Sequence, residues 1–96
     1  MTRTDVTLQR DGSLRGVTGL AEFEDGRVVP VAILDSDWQR AIGTQSVPED
    51  SPIAKHAAAI GVMEAPEWPA VSANGIDHRR VDSEQLRRAA RALGSL

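Results

Sequence analysis

The chain has 96 residues, no cysteine and a formal net charge of −3, with 41% hydrophobic and 26% charged residues. This balance is typical of a folded globular protein, and the length suits one domain over residues 1–96, because each of two halves would be too short to fold unaided. The lack of cysteine excludes disulfide frameworks, thiolate metal sites and a cysteine nucleophile.

Residues 4–34 have the pattern of a three-stranded antiparallel meander. Two Asp-Gly pairs, Asp11-Gly12 and Asp25-Gly26, separate three runs that are rich in β-forming residues. Asp-Gly supplies the two positive-φ positions of a type I′ turn, so we expect a two-residue hairpin loop at each pair.

Two irregularities interrupt the alternation of polar and apolar residues in this meander. In the second run, Val17 and Leu20 have opposite parity, which predicts a β-bulge near the glycines that lie between and before them. The third run is apolar at both parities and contains Pro30, which has no N–H to donate to a neighbouring strand. We therefore expect the third run to be an edge strand.

Residues 36–64 have helical periodicity. Ser36 can cap a short first helix that Gly43 ends, and Ser51 followed by Pro52 is a cap with a first-turn proline. The pattern predicts two helices in this segment.

Residues 65–81 form a connector in which two prolines flank Trp68. A tryptophan in this position covers the core or, if exposed, serves as a hot spot for a partner. An Asn-Gly pair within the connector could turn a second hairpin, between residues 70–73 and 76–81.

The last helix is predicted over residues 82–94, with Asp82 as its cap and Gly94 as its stop. Its apolar stripe runs from Leu86 to Leu93. The whole pattern predicts an α+β fold, in which a three-stranded antiparallel meander is followed by two or three helices packed on one face.

The residues that could carry chemistry do not form a recognised catalytic motif. His56 and His78 are the two histidines, no serine lies in a G-x-S-x-G motif, and the acidic clusters lack the spacing of a calcium loop. Gly-rich phosphate loops are also lacking in the sequence. We expect both histidines to lie on the surface, and we expect a protein that is not an enzyme and uses neither metal nor cofactor.

Arginines are concentrated at the end of the chain. Residues 1–76 carry a net charge of −5 and residues 77–96 a net charge of +2. The candidate partner-binding residues are Trp68 and five arginines, namely Arg79, Arg80, Arg87, Arg88 and Arg91. Glu84 stands three and four residues before two of them and partly neutralises their helix face.

Two hypotheses follow from these observations. The first is a small protein-interaction or accessory module that self-associates or caps a larger partner through a sheet edge or a helix face. The alternative is a nucleic-acid-binding accessory protein that uses the arginine face against phosphates. No apolar run approaches the roughly 20 residues of a membrane helix, so we expect a cytoplasmic protein. Ten arginines against one lysine indicate a GC-rich bacterium or its phage as the source.

Overall fold

The computed structural model describes residues 4–43, 46–64 and 70–94. Within these ranges the chain forms five strands and three helices: β1 Thr4–Asp11, β2 Gly16–Phe23, β3 Val28–Leu34, α1 Asp35–Ile42, α2 Pro52–Glu64, β4 Ala70–Ala73, β5 Ile76–Arg80 and α3 Ser83–Ala92. The α+β class is confirmed. The predicted extent of the sheet is wrong, because the connector adds β4 and β5 to the meander and makes one mixed sheet of order β1-β2-β3-β5-β4.

The meander has an unbroken register. Every residue of β1 from Thr4 to Asp11 opposes one residue of β2, so the expected β-bulge is absent from this pair. Gly19 instead meets a close approach of the two backbones, since a Cβ atom there would overlap the carbonyl oxygen of Thr7. Leu20 therefore keeps its regular parity and points away from the core, where its side chain is 43% exposed.

The two Asp-Gly pairs do not form the two-residue turns that we expected. β1 continues through Asp11 and β2 begins only at Gly16, and in the second pair only Gly26 has positive φ. The Asn-Gly pair of the connector does adopt that geometry: Asn74 has φ 53° and Gly75 has φ 75°, and together they join β4 to β5. The second hairpin is therefore present.

β3 is a central strand of the sheet, which corrects the expectation of an edge strand. Its parallel pairing with β5 covers only Val31 and Ala32, and the carbonyl of Ala32 accepts a hydrogen bond from the Val81 N–H (2.9 Å). Pro30 lies two residues earlier and points its nitrogen to the same side. Because that nitrogen has no hydrogen, the pairing with β5 begins only after the proline.

The helix ends follow local capping signals. Ser51 caps α2 through its hydroxyl oxygen, and the Asp82 carboxylate caps α3 by accepting a hydrogen bond from the Gln85 N–H (3.0 Å). Gly43 ends α1 in the left-handed conformation. The predicted cap at Ser36 is wrong, since α1 begins one residue before it without a side-chain cap.

The core lies between the sheet and the helices. α1 and α2 pack on the meander, and α3 packs against both of them. The larger buried apolar side chains are Leu8, Val17, Phe23, Val31, Ile33, Trp38, Val47, Val81 and Leu86, whereas α2 contributes the buried alanines Ala54, Ala57 and Ala58. Leu93 was expected to complete the apolar stripe of α3 but is 45% exposed.

A polar clamp holds the loop between α1 and α2 over this core. The Arg10 guanidinium donates to both carboxylate oxygens of Asp35 (2.9 Å each) and to the carbonyl oxygen of Val47 (2.6 Å). The Val47 N–H in turn donates to Asp35 (3.0 Å). Both backbone groups of Val47 are thereby satisfied, so its side chain can be buried in a loop.

Candidate interaction surfaces

The two faces of the meander are unlike. Side chains such as Val17, Val31 and Ile33 point toward the helices and form the core. The opposite face, which we call the open face, carries Asp5, Thr7, Gln9, Thr18, Leu20, Glu22, Val28, Pro30 and Ala32.

The β4–β5 hairpin folds back over one half of the open face. Its turn residue Asn74 donates a hydrogen bond from Nδ2 to Asp11 (3.2 Å), at the far end of β1. In a flat sheet this turn would lie beside the beginning of β3, at the opposite end of the meander. The fold-back buries Thr18 and Ala32 on the sheet, together with His78 on the hairpin.

A polar cluster fastens the hairpin tip to the meander. Besides the bond from Asn74, the Asp11 carboxylate accepts bonds from the Ser13 hydroxyl (2.6 Å), the Ser13 N–H (2.9 Å) and the Thr18 hydroxyl (3.2 Å). These Ser13 bonds first, and then the Thr18 bond and the charge of His78, hold the pKa of Asp11 below its ordinary value. These bonds hold the hairpin tip against the meander, and we assign the cluster a structural role.

The other half of the open face remains uncovered and is apolar at its centre. Leu20 opposes Pro30 across the β2–β3 pair, and Val28 lies on the same face two residues from the proline. Leu20 and Val28 are both exposed. We call these three residues the open-face patch. They form a contiguous apolar surface, and such surfaces are rarer on folded proteins than a single exposed leucine.

Carboxylates border the open-face patch. In the row beside Leu20, Glu22 opposes both Val28 on β3 and Asp5 on β1, and both acidic side chains are exposed. The sequence signal for this patch is the parity of Leu20, for which the regular β1–β2 register excludes a bulge as the explanation. A regular strand with one apolar residue on its wet face was the better interpretation.

Arg80 is held in an ion pair. Its Nε and terminal nitrogen donate to the two carboxylate oxygens of Asp37 (2.9 Å each), and the Asp37 side chain is only 2% exposed. This bond is the largest cause of the raised pKa of Arg80. The pair joins α1 to the end of β5, and it occupies the Nε edge of the guanidinium, which is one of the edges that could bind a phosphate.

Of the other four candidate arginines, one lies on β5 and three lie on α3, where Arg87 and Arg91 are one turn apart. Arg79 lines a cleft of about 270 Å³ where β3 and β5 diverge. Arg88 lines a groove of about 150 Å³ between α2 and α3. Arg87 is half-buried on α3 and Arg91 is exposed near its end. The structure therefore does not gather the five arginines on a single surface.

The remaining candidates are the two histidines and Trp68. His56 is half-buried on α2, whereas the expectation of a surface position for His78 is wrong, because its ring is buried and Nδ1 hydrogen-bonds the Ile76 carbonyl oxygen (2.9 Å). Trp68, together with residues 65–69 of the connector, lies outside the described residues.

The described ranges contain neither a metal-binding cluster nor a membrane-spanning helix. No three acidic, histidine or cysteine side chains lie close enough together there to bind a metal ion. None of the three helices has the length and apolar character needed to cross a membrane.

Comparison with known proteins gives no family. Neither protein-family models, nor curated proteins, nor solved structures match the chain significantly.

Proposed function

We propose that this protein is an interaction module that binds a partner protein through the open-face patch. The observation that carries the proposal is the contiguity of Leu20, Val28 and Pro30 on the half of the open face that the hairpin leaves uncovered. Burying such a surface against a partner removes apolar area from water, at roughly 25 cal/mol per Å². The fold itself does not need these side chains, since its core lies on the other face of the sheet.

The charges around the patch define the chemistry of the partner. Asp5 and Glu22 border it on one side, and both are exposed. On the other side Asp77 and Arg79 line a cleft with Val28 and Pro30, so three carboxylates surround the patch against one guanidinium. A complementary surface therefore presents an apolar side chain flanked by lysine or arginine. Such a partner is attracted by the carboxylates and gains affinity from the apolar contact, whereas an acidic partner is repelled.

The test is affinity capture from a lysate of the source organism with three forms of the chain. Leu20→Asp places a charge in the middle of the patch, and Leu93→Asp is the matched control, because the two leucines are 43% and 45% exposed. The proposal requires a protein that the wild type and Leu93→Asp retain and Leu20→Asp loses. Crosslinking must then map the contact to an apolar segment with basic neighbours.

Charge neutralisation gives a second readout. Glu22→Gln should weaken capture of the same partner at low salt and have less effect at high salt, since exposed charges are screened over about 10 Å at 0.1 M. Identical capture by the wild type and Leu20→Asp, or failure of the wild type to retain any protein, refutes the proposal.

The nucleic-acid hypothesis has its own measurement. With Arg80 bound to Asp37, the phosphate contacts that this hypothesis retains on α3 are Arg87, Arg88 and Arg91, and we choose Arg87 and Arg91 for substitution. Replacing both by alanine should lower the dependence of binding on salt concentration. Lack of any mobility shift with DNA or RNA at low salt excludes this hypothesis.

A further inference from the structure

β1 is an edge strand of the sheet with a row of outward backbone groups. The Phe23 N–H donates to the Arg27 carbonyl oxygen (2.8 Å), so the odd-numbered residues of β2 direct their backbone groups to β3. Its even-numbered residues therefore bond to β1, where their partners are the odd-numbered residues. By the same alternation, the backbone groups of Thr4, Val6, Leu8 and Arg10 point outward.

Several of the devices that block a sheet edge are missing from this strand, although it carries the charged residues Asp5, Arg10 and Asp11. β1 is eight residues long, contains neither proline nor lysine, and pairs with β2 without a bulge. Neither Val6 nor Leu8 has a backbone hydrogen bond outside the sheet among those found in the described residues. An edge of this kind is a template for an added strand.

We propose that the occupant of this edge is β1 of a second copy of the chain, paired antiparallel about a two-fold axis at Thr7. In this register Thr7 faces Thr7, Val6 faces Leu8, Asp5 faces Gln9 and Thr4 faces Arg10. All of residues 4–10 are paired. The outward groups of the even-numbered residues in each copy bond to those in the other.

The side chains select this register over its neighbours. Thr–Thr and apolar cross-strand pairs are favourable, and no like charges face each other. A shift of the axis to Leu8 would place Asp5 opposite Asp11, which is destabilising. Among the described residues, a shift to Val6 would pair only residues 4–8 of β1 with one another. The open face has the same orientation in both copies, so the dimer presents two open-face patches on one side of a continuous sheet.

Engineered cysteines test the register directly, because the chain has no cysteine of its own. Thr7 faces its symmetry mate in a non-hydrogen-bonded pair, where Cα atoms are about 4.5 Å apart and a disulfide can form. The matched control is Gln9→Cys on the same exposed face, whose two copies would be separated by about 13 Å along the strands. Under mild oxidation, Thr7→Cys should form the disulfide-linked dimer at least about tenfold faster than Gln9→Cys.

A charge swap provides the solution readout. Thr7→Lys places two ammonium groups face to face and should give a monomer in analytical ultracentrifugation, whereas Gln9→Lys faces Asp5 and should retain the dimer. Circular dichroism checks that each variant is folded. Equal crosslinking rates for the two cysteine variants, or a wild-type mass of 10.3 kDa at millimolar concentration, overturns the proposal.

Dimerisation is measured on the purified protein and needs no partner on the open-face patch. Leu20→Asp should therefore leave the dimer intact, and failure of the partner test has no bearing on this one.

Discussion

Replacing Arg80 by alanine should destabilise the fold strongly, because it leaves the Asp37 carboxylate buried without its partner. Two bonds of 2.9 Å are lost, and the Asp37 side chain is 2% exposed while that of Arg80 is 39% exposed. Removing one partner of a fully buried pair costs about 3–5 kcal/mol, and exposed pairs are worth about 0–1 kcal/mol. Water can reach the vacated arginine position, so we expect a loss of about 2–3 kcal/mol in the free energy of unfolding.

Urea denaturation followed by circular dichroism measures this loss, and thermal unfolding should show a fall in Tm of about 10–20 °C. Arg91→Ala is the matched control, because that arginine is exposed on α3, and its effect should stay within about 0.5 kcal/mol. Adding Asp37→Asn to Arg80→Ala should recover part of the loss, since the remaining buried group is then neutral.

The pH dependence of this effect follows from the raised pKa of Arg80. A group with a raised pKa contributes its full stability below its unfolded pKa and loses it only as the pH rises through the folded pKa. For an arginine both values lie far above neutrality, so Arg80→Ala should cost the same at about pH 6 and about pH 9. A free energy of unfolding within about 0.5 kcal/mol of the wild type would refute the view that this pair joins α1 to β5.

Three further predictions concern the meander and its loops. Gly19→Ala should lower the free energy of unfolding in urea by about 1–3 kcal/mol, because the added Cβ overlaps backbone atoms. Gly12→Ala is the control, since its Cβ meets open space, and its effect should stay within about 0.5 kcal/mol; similar values for both variants would contradict the close approach at Gly19. Asp11 has a lowered pKa, so its contribution to stability is present above the ordinary carboxyl pKa and is lost as the pH falls through the pKa of the folded state. Asp11→Asn should therefore make the free energy of unfolding less dependent on pH below about pH 4, and an unchanged dependence in that range would count against the hydrogen-bonded cluster. Asp35→Ala removes the acceptor of the Val47 N–H and should speed hydrogen exchange at that amide by about tenfold or more. Mass spectrometry measures the exchange, and an unchanged rate would show that the clamp does not hold this loop.

Short-range chemistry in the sequence determined most of the secondary structure. The Asp82 cap of α3, the Ser51 cap of α2 and the left-handed glycine after α1 each act within a few residues, so they can be predicted without the fold. The Asn74-Gly75 turn belongs to the same class. All of these signals act between residues that are close together in the chain.

Only the tertiary structure decided which surfaces are available. The fold-back of the β4–β5 hairpin buries His78, the ion pair with Asp37 engages Arg80, and the unbroken register leaves Leu20 on the open face. Each outcome depends on contacts between residues far apart in sequence, which neither periodicity nor capping signals encode. A strand pattern assigns side chains to two faces, but which part of a face becomes covered is determined by the rest of the chain.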